Sequence, residues 1–257
     1  LEYAYEANMQ FDYIEYAQEN FITTDISQRS VTFVRDGKFW IVTDYAVPVN
    51  PHIKNVFAQN WHMYPGANPS WDEETKTLQS NNTDEANVKL YQVEYDEIDE
   101  VRKVKTWYSE ASGQMMESEK GMVLKTKSGP GRFTTIIMPM ELGDDIKVET
   151  SVVDTGLDPD IVNATYFKVI NPDTLVPSFY YFYHLNDVSK KTEAKMGKYA
   201  TDATTMLVEE DADGNVKSVF MIDGSYIKNS ELENEYLFKS ETAVKSILPR
   251  SSFIDFN

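Results

Sequence analysis

The stretch from Arg29 to Met63 reads RSVTFVRDGKFWIVTDYAVPVNPHIKNVFAQNWHM, and its alternating apolar and polar residues indicate strands. Asp36-Gly37 lies between two runs rich in β-branched and aromatic residues, which is the strongest short-range signal for a β-hairpin. We therefore predict a two-residue type I′ turn at this dipeptide. The cross-strand pairs that this turn would set are Phe33–Trp40, Val31–Val42 and Arg29–Asp44.

A third strand is predicted at Val56–Met63, after a proline-containing break. If this strand pairs with the second strand of the hairpin, His62 lies opposite Asp44. Arg29, Asp44 and His62 then form one polar row across three neighbouring strands. Because the rest of that face is apolar, the members of the row must satisfy one another or bind something else.

The remaining sequence repeats short β-rich runs separated by polar turns. A long polar loop is predicted over Tyr64–Ala86, and Asp213-Gly214 indicates a second hairpin. Further strands are predicted at Val88–Glu94, Val101–Tyr108, Gly121–Thr126, Phe133–Met138, Lys147–Val153, Ala164–Ile170, Ser178–His184, Thr204–Val208, Lys217–Ile222 and Glu235–Phe238. The predicted fold class is all-β: a large antiparallel, supersandwich-like β-sandwich with few or no helices, forming a single domain over residues 1–257.

The charge balance excludes several kinds of partner. Lys and Arg total 24 against 42 Asp and Glu, a formal net charge of −18. Such an excess repels polyanions, so we expect no nucleic-acid partner. No apolar run approaches the ~20 residues of a membrane span, so we expect no membrane insertion. The chain has no signal peptide and opens on Leu1 rather than Met, which indicates a processed form or a fragment of a longer protein.

Several motifs, taken in order, resemble the C-terminal β-sandwich of heparinase II/III-like polysaccharide lyases. The resemblance is carried by an Arg-led strand, a hairpin, a strand that ends in Asp, a Trp-His strand and a later strand that ends in Pro. The matching residues are Arg29, Ile41-Val42-Thr43-Asp44, Trp61-His62 and Phe133-Thr134-Thr135-Ile136-Ile137-Met138-Pro139. The resemblance is strongest over residues 29–140.

This resemblance implies a bacterial, periplasmic or secreted lyase that cleaves a uronic-acid-containing polysaccharide, such as a glycosaminoglycan or alginate, by β-elimination. In the family an upstream helical toroid supplies much of the catalytic machinery, and the sandwich forms one wall of the substrate cleft. We therefore expect the toroid of the same protein as a partner and an acidic polysaccharide as substrate. Because the toroid is missing here, the isolated chain is expected to be inactive.

The family often carries a zinc ion bound by two His and one Asp, and Asp44 and His62 match two of these positions. Two ligands do not complete a zinc site, so an unseen third ligand would be required. The alternative is structural: Arg29–Asp44 is a structural ion pair, and the carboxylate fixes the tautomer of His62. Catalytic residues stay unknown, with His62 as a weak candidate.

Substrate contacts are predicted at three other residues. Tyr64 and Trp71 lie in the long loop, where an exposed aromatic ring can stack on a sugar. Arg132, in the turn sequence GPGR, can meet a uronate carboxylate, although a solvated turn charge is the simpler reading.

Two other classes of function remain open. One is a non-catalytic carbohydrate-binding or structural β-sandwich, and the other is an interaction module whose acidic face docks a partner. The sequence contains no GxSxG, phosphate-loop, GxGxxG or HExxH motif. A glycoside hydrolase with paired carboxylates is not excluded, because the many acidic residues offer too many candidate pairs.

Overall fold

The structure, a computed structural model, describes residues 2–7, 10–21, 24–170, 175–232 and 235–247. Strands make up 63% of the chain and helical residues 4%, which confirms the predicted all-β class. The chain divides into two compact units. The N-terminal unit comprises residues 1–4 and 14–145, and the C-terminal unit comprises 5–13 and 146–257. The expectation of a single domain over residues 1–257 stays a prediction.

The N-terminal unit is built mainly from eleven strands, of which the first two also carry residues of the C-terminal unit. They are β1 (Glu2–Ala7), β2 (Phe11–Phe21), β3 (Thr24–Val34), β4 (Phe39–Pro48), β5 (Asn55–His62), β6 (Ser70–Asp72), β7 (Thr77–Gln79), β8 (Asn87–Gln92), β9 (Glu100–Tyr108), β10 (Met116–Lys127) and β11 (Gly131–Met140). Sheet 1 has the order β1-β2-β3-β4-β11-β8-β7-β6, and sheet 2 has the order β5-β10-β9. All the pairings whose register is given in these sheets are antiparallel.

The hairpin of β3 and β4 has the predicted register, since Arg29 lies opposite Asp44. Its turn is of a different type. The residue with positive φ is Lys38 (φ 53°), whereas a type I′ turn needs positive φ at Asp36 and Gly37. The Lys38 amide donates to the Arg35 carbonyl over 3.2 Å, so a wider loop joins the strands without shifting their register.

The predicted pairing of the third strand is wrong. Strand β5 pairs with β10 in sheet 2, where His62 lies opposite Lys120. The second neighbour of β4 is β11, which places Phe133 opposite Asp44. Consecutive strands are neighbours only about two-thirds of the time. Here the chain leaves sheet 1 after β4 and returns to it with later strands.

Sheets 1 and 2 pack face to face over an apolar core. Phe57 of β5 and Val123 of β10 meet Phe133 of β11, and Ile98 completes the cluster. Gly131 is needed at the contact, because a Cβ atom there would lie 2.4 Å from the Phe57 ring. This close approach gives the N-terminal unit the two-layer arrangement of a β-sandwich.

The C-terminal unit contains a third antiparallel sheet, sheet 3. Its strands are β12 (Lys147–Val152), β13 (Val162–Ile170), β14 (Pro177–Leu185), β15 (Ala194–Met196), β16 (Tyr199–Thr201), β17 (Thr205–Glu210), β18 (Val216–Asn229) and β19 (Tyr236–Ile247). The order is β12-β13-β14-β17-β18-β16-β15, and β19 pairs with β18. Tyr183, Met206 and Met221 lie in its buried core. The ten strands predicted after the long loop each overlap an observed strand.

Helical structure is confined to three short 3₁₀ turns in the described part of the chain. They are Tyr95–Glu97, Pro159–Ile161 and Val188–Lys190. Within the described ranges, none of the helical segments has the length and apolar character needed to cross a lipid bilayer.

Candidate functional site

A chain of polar side chains links the two sheets of the N-terminal unit, beginning on the neighbouring strands β3 and β4 of sheet 1. Arg29 Nε donates to Asp44 Oδ1 over 2.6 Å, and Arg29 Nη2 donates to Asp44 Oδ2 over 2.8 Å. Gln59 Nε2, from β5, donates to the same Oδ2 over 2.7 Å. The predicted ion pair is therefore present, and the third member of the polar row is Gln59 rather than His62.

The chain of hydrogen bonds continues from Gln59 into the buried core. Gln59 Oε1 accepts from Trp61 Nε1 over 2.8 Å and from Gln92 Nε2 over 3.1 Å. Thr135 Oγ1 lies 2.9 Å from Gln59 Oε1 and 3.1 Å from Gln92 Oε1, within donating distance of both. Gln59, Gln92 and Thr135 are all buried. We call Arg29, Asp44, Gln59, Trp61, Gln92 and Thr135 the polar network.

The polar network holds a fixed, half-exposed cation on strand β3. The Arg29 side chain is 46% exposed, and its guanidinium carbon lies 5.6 Å from the centre of the Trp61 ring. The hydrogen bond to Asp44 raises the pKa of Arg29, partial burial lowers it, and the charge of Asp44 raises it further, so the net shift is upward. The guanidinium therefore stays charged, and Asp44, which is engaged by two donors, is poorly placed to act as a base.

His62 does not take part in the polar network. It is exposed, next to Trp61 on β5, and its partner in the sheet register is Lys120. Strand alternation turns His62 away from the face that carries Gln59 and Trp61. The predicted adjacency of Asp44 and His62 is thus wrong.

The residues present do not fit the zinc site implied by the resemblance. Asp44 is occupied by Arg29 and Gln59, and both neighbours are nitrogen donors rather than metal ligands. Among the described residues, no group of three or more His, Asp or Glu is placed to hold a metal ion. Zinc binding stays a prediction from the sequence, and no chemistry is assigned to it.

Arg132 also lies in a different position from the one predicted. It lies inside β11 rather than in a turn, and its side chain is 4% exposed. Its Nη1 donates to Glu94 Oε1 over 2.6 Å, and its Nη2 donates to Glu97 Oε1 over 3.2 Å. Glu94 also accepts from the backbone amide and the hydroxyl of Thr134. Arg132 is a buried structural cation, so the expectation that it meets a substrate carboxylate is wrong.

Trp71 is not an exposed loop residue either. It lies in β6 opposite Leu78, which is itself opposite Leu90 of β8. Its ring is half-buried and packs against the apolar cluster of Met63, Leu78 and Leu90. The buried indole Nε1 has no hydrogen-bond partner among the described residues. Trp71 therefore contributes to the core, and it also lines an open cleft of about 380 Å³. Its predicted role as a substrate contact stays a prediction.

Tyr64 has the exposure that was predicted for it. Its side chain is 56% exposed, and its ring meets Tyr108 edge to face with centroids 5.3 Å apart. It lines an open cleft of about 330 Å³. The other lining residues are Gly66, Asn68, Pro69, Lys105, Glu117, Ser118 and Glu119. We call this the Tyr64 cleft.

The C-terminal unit buries two adjacent carboxylates, Glu209 and Glu210. Glu209 accepts from Lys217 Nζ over 2.8 Å and from Ser218 Oγ over 2.9 Å. Glu210 pairs with Lys198 Nζ at 2.8 Å and accepts a hydrogen bond from the Tyr199 hydroxyl. Burial comes first among the causes that raise the pKa of Tyr199, followed by the hydrogen bond to Glu210. Both carboxylates are compensated by cations, so this pair has the character of internal structure rather than of a hydrolytic site.

Comparisons with known proteins identify solved structures that share this fold. No protein-family model matches the chain, and no curated protein matches it in sequence. Solved structures do match, and among them are a heparan sulfate lyase and two heparinase III proteins. One is the heparan sulfate lyase HepC from Pedobacter heparinus, with a TM-score of 0.55 and 15% identity over 65% of this chain and 25% of that chain.

Two further solved structures give the same result. A heparinase III with methylated lysines matches with a TM-score of 0.52 and 18% identity, over 65% of this chain and 26% of its own. Another heparinase III matches with a TM-score of 0.51 and 11% identity, over 65% and 25% of the two chains. The chain thus spans about a quarter of these proteins. The predicted resemblance is confirmed at the level of the fold.

The structure also identifies residues that the sequence reading missed. Gln59 stands two positions from both Phe57 and Trp61, so alternation along β5 places all three on one face. A polar amide on that apolar face is a signal for a buried hydrogen-bond partner. The reading passed over it because the assumed pairing with β4 assigned the partner position of Asp44 to His62.

Proposed function

We propose that this chain is a β-sandwich domain of a polysaccharide lyase that cleaves a uronic-acid-containing polysaccharide by β-elimination. The observation that carries the proposal is the fold shared with three heparinase III-type structures, one of them a heparan sulfate lyase. In the proposed enzyme the domain forms one wall of the substrate cleft, and a helical toroid of the same protein forms the rest.

The chemistry of the described residues supports a catalytic centre that is completed elsewhere. β-Elimination needs a base for the C5 proton, an acid for the leaving oxygen and a group that neutralises the uronate carboxylate. In the sites described above, the half-buried or buried carboxylates Asp44, Glu94, Glu209 and Glu210 are each paired with a cation. A carboxylate whose oxygens already accept hydrogen bonds from a cation is poorly placed to take a proton from a substrate. We therefore assign the domain a binding and enclosing role.

Tyr64 is the predicted substrate contact that keeps this role in the proposal. Its ring is exposed at the Tyr64 cleft, and the Tyr108 ring supports it from one side. An aromatic ring with an exposed face and a hydroxyl can stack on a pyranose and also hydrogen-bond to it. Asn68 and Ser118, which line the same cleft, add polar groups suited to sugar hydroxyls.

The proposed substrate also sets the proposed location and partners. A long uronic-acid polysaccharide lies outside the bacterial cytoplasm, so we propose a periplasmic or secreted enzyme. Its partners would be the acidic polysaccharide and the toroid of the same protein.

The proposal is tested by ultraviolet detection of the unsaturated uronate product. The natural full-length protein that carries this chain is incubated with heparan sulfate, alginate and related chains, and residues 1–257 are assayed in parallel. We expect product from the former and little or none from the latter. Absence of product together with absence of binding to every uronic-acid polysaccharide would overturn the proposal. Binding without product would replace it with the non-catalytic carbohydrate-binding module.

A further inference from the structure

Strand β9 presents an unusual row of side chains along the free edge of sheet 2. Lys103, Lys105 and Trp107 are spaced by two residues, so strand alternation places them on one face, with about 6.6 Å between successive side chains. All three are exposed, and Trp107 is 59% exposed. β9 is the last strand in the order β5-β10-β9, so its outer edge has no strand partner in the described part of sheet 2.

The row adjoins the Tyr64 cleft. Lys105 lines the cleft directly, and Trp107 lies opposite Glu117, another lining residue. Lys103 forms an ion pair with Glu119 at 2.9 Å, and Glu119 also lines the cleft. Tyr64 and Lys105 therefore border the cleft itself, and Lys103 and Trp107 are each paired with one of its lining residues.

Protection of a sheet edge does not account for this composition. Lysines on an edge strand are a common guard against edge-to-edge association, and they explain Lys103 and Lys105. They do not explain a large exposed indole on the same face, because an exposed aromatic residue on a free edge favours association. Within the described residues, Trp107 makes no hydrogen bond and no ring contact, so its flat face is open.

The ammonium groups of the row are held only by exposed ion pairs. The Lys105 side chain is 83% exposed, and its Nζ lies 3.8 Å from Glu117. Exposed ion pairs of this kind are weak and readily exchange one anion for another. Together with Glu117 and Glu119, the two lysines give a locally neutral surface. The chain as a whole, in contrast, carries a net charge of −18. A polyanion is repelled least where cations concentrate, and Lys103 and Lys105 stand two positions apart on one face of β9.

We propose that Lys103, Lys105 and Trp107 form a binding site for an anionic saccharide, continuous with the Tyr64 cleft. Trp107 packs its ring against the apolar face of one sugar, and the two ammonium groups pair with carboxylate or sulfate groups of neighbouring sugars. This inference rests on the proposed function, since it assigns the substrate class of the same wall to specific residues. It adds that recognition of the acidic groups lies on the edge strand β9.

The test measures binding of uronate oligosaccharides to the natural full-length protein by isothermal titration calorimetry. Heparan sulfate oligosaccharides supply carboxylate and sulfate, alginate oligosaccharides supply carboxylate alone, and a neutral glucan oligosaccharide is the uncharged control. The variants are Lys103→Gln with Lys105→Gln, and Trp107→Ala. Arg102→Gln is the matched control, because Arg102 is an exposed cation of the same strand on the opposite face, paired with Glu100 at 2.5 Å.

We expect the double lysine variant and Trp107→Ala each to weaken binding of the anionic oligosaccharides about tenfold, and Arg102→Gln to change it less than about twofold. The double variant should also lose most of the salt dependence. Unfolding midpoints equal to that of the parent show that the exposed substitutions leave the fold intact.

Parent-like binding by both variants would overturn the inference while leaving the proposed lyase in place. Equal binding of the neutral glucan by the parent would overturn its anionic specificity. If the parent neither binds a uronate oligosaccharide nor forms unsaturated product, the proposed function itself fails, and the assignment of β9 fails with it.

Discussion

Two arginine–carboxylate pairs of the N-terminal unit have similar chemistry and opposite surroundings. Arg132 and Glu94 are 4% and 2% exposed, and Thr134 satisfies the remaining carboxylate lone pairs. Arg29 and Asp44 are 46% and 20% exposed, at the edge of the polar network. The sequence reading assigned the first arginine to substrate and the second to structure. Burial indicates the reverse, because the buried Arg132 cannot reach a ligand, whereas the half-exposed Arg29 can.

The largest effect is expected for Arg132→Ala. It leaves the carboxylate of Glu94 buried without its cation, which typically costs about 3–5 kcal/mol of folding free energy. Urea denaturation of residues 1–257 measures the loss. Arg102→Ala is the control, because its pair with Glu100 is fully exposed and its removal should cost far less than the loss of the buried pair. A loss below that of the control would contradict the assignment of Arg132 to internal structure.

Gln59→Leu tests whether Gln59, rather than His62, belongs to the polar network. The substitution removes the partner of Trp61 Nε1 and the amide that donates to Asp44, so we expect a loss of about 1–3 kcal/mol. His62→Ala, three residues away on the same strand, should stay within about 0.5 kcal/mol because His62 is exposed. The same denaturation experiment compares them. A larger loss of folding free energy for His62→Ala than for Gln59→Leu would support the originally predicted row of Arg29, Asp44 and His62.

Arg29→Ala completes the comparison with Arg132. Because the Arg29 side chain is 46% exposed, water can solvate Asp44 once the guanidinium is gone. We expect a loss of at most about 1 kcal/mol, well below that of Arg132→Ala. Thermal unfolding of the two variants side by side checks the difference. Equal losses would show that burial does not separate the two pairs.

The smallest effect concerns Glu97, which bridges Arg132 and Lys125 from a half-exposed position. Partial burial raises its pKa, but the charges of Lys125 and Arg132 outweigh burial, and the pKa lies below the usual 4.5. A carboxyl group with a lowered folded-state pKa stabilises the fold above its unfolded pKa, and this stability is lost as the pH falls through the folded value.

The pH dependence can be measured with Glu97→Gln. Its stability deficit relative to the parent should be under about 1 kcal/mol near neutrality, because the carboxylate is partly exposed. The deficit should shrink as the pH falls from about 5 to about 3. Urea midpoints across this range provide the measurement, and Glu110→Gln, at an exposed carboxylate, provides the reference. A deficit that grows on acidification would contradict the lowered pKa.

Much of the fold could be predicted because its signals are local. Alternation of side chains located the strands, and the Asp36-Gly37 dipeptide located the hairpin whose register places Arg29 opposite Asp44. The short strands β6 and β7 were missed because three residues carry too little periodicity to stand out from a polar loop. The candidate site was predicted only in part, since Tyr64 was found exposed while Arg132 and Trp71 were not.

The sequence by itself determined that this protein is all-β and that Arg29 and Asp44 form a pair, because period-two alternation and a short hairpin depend on neighbouring residues. Only the tertiary structure decided that Gln59 completes the polar network, that Arg132 is buried against Glu94, and that Trp107 lies exposed beside the Tyr64 cleft. The physical reason is that β5, β9 and β11 find their neighbours through contacts between residues distant in the chain. Their packing against one another, rather than any local pattern, sets which side chains meet.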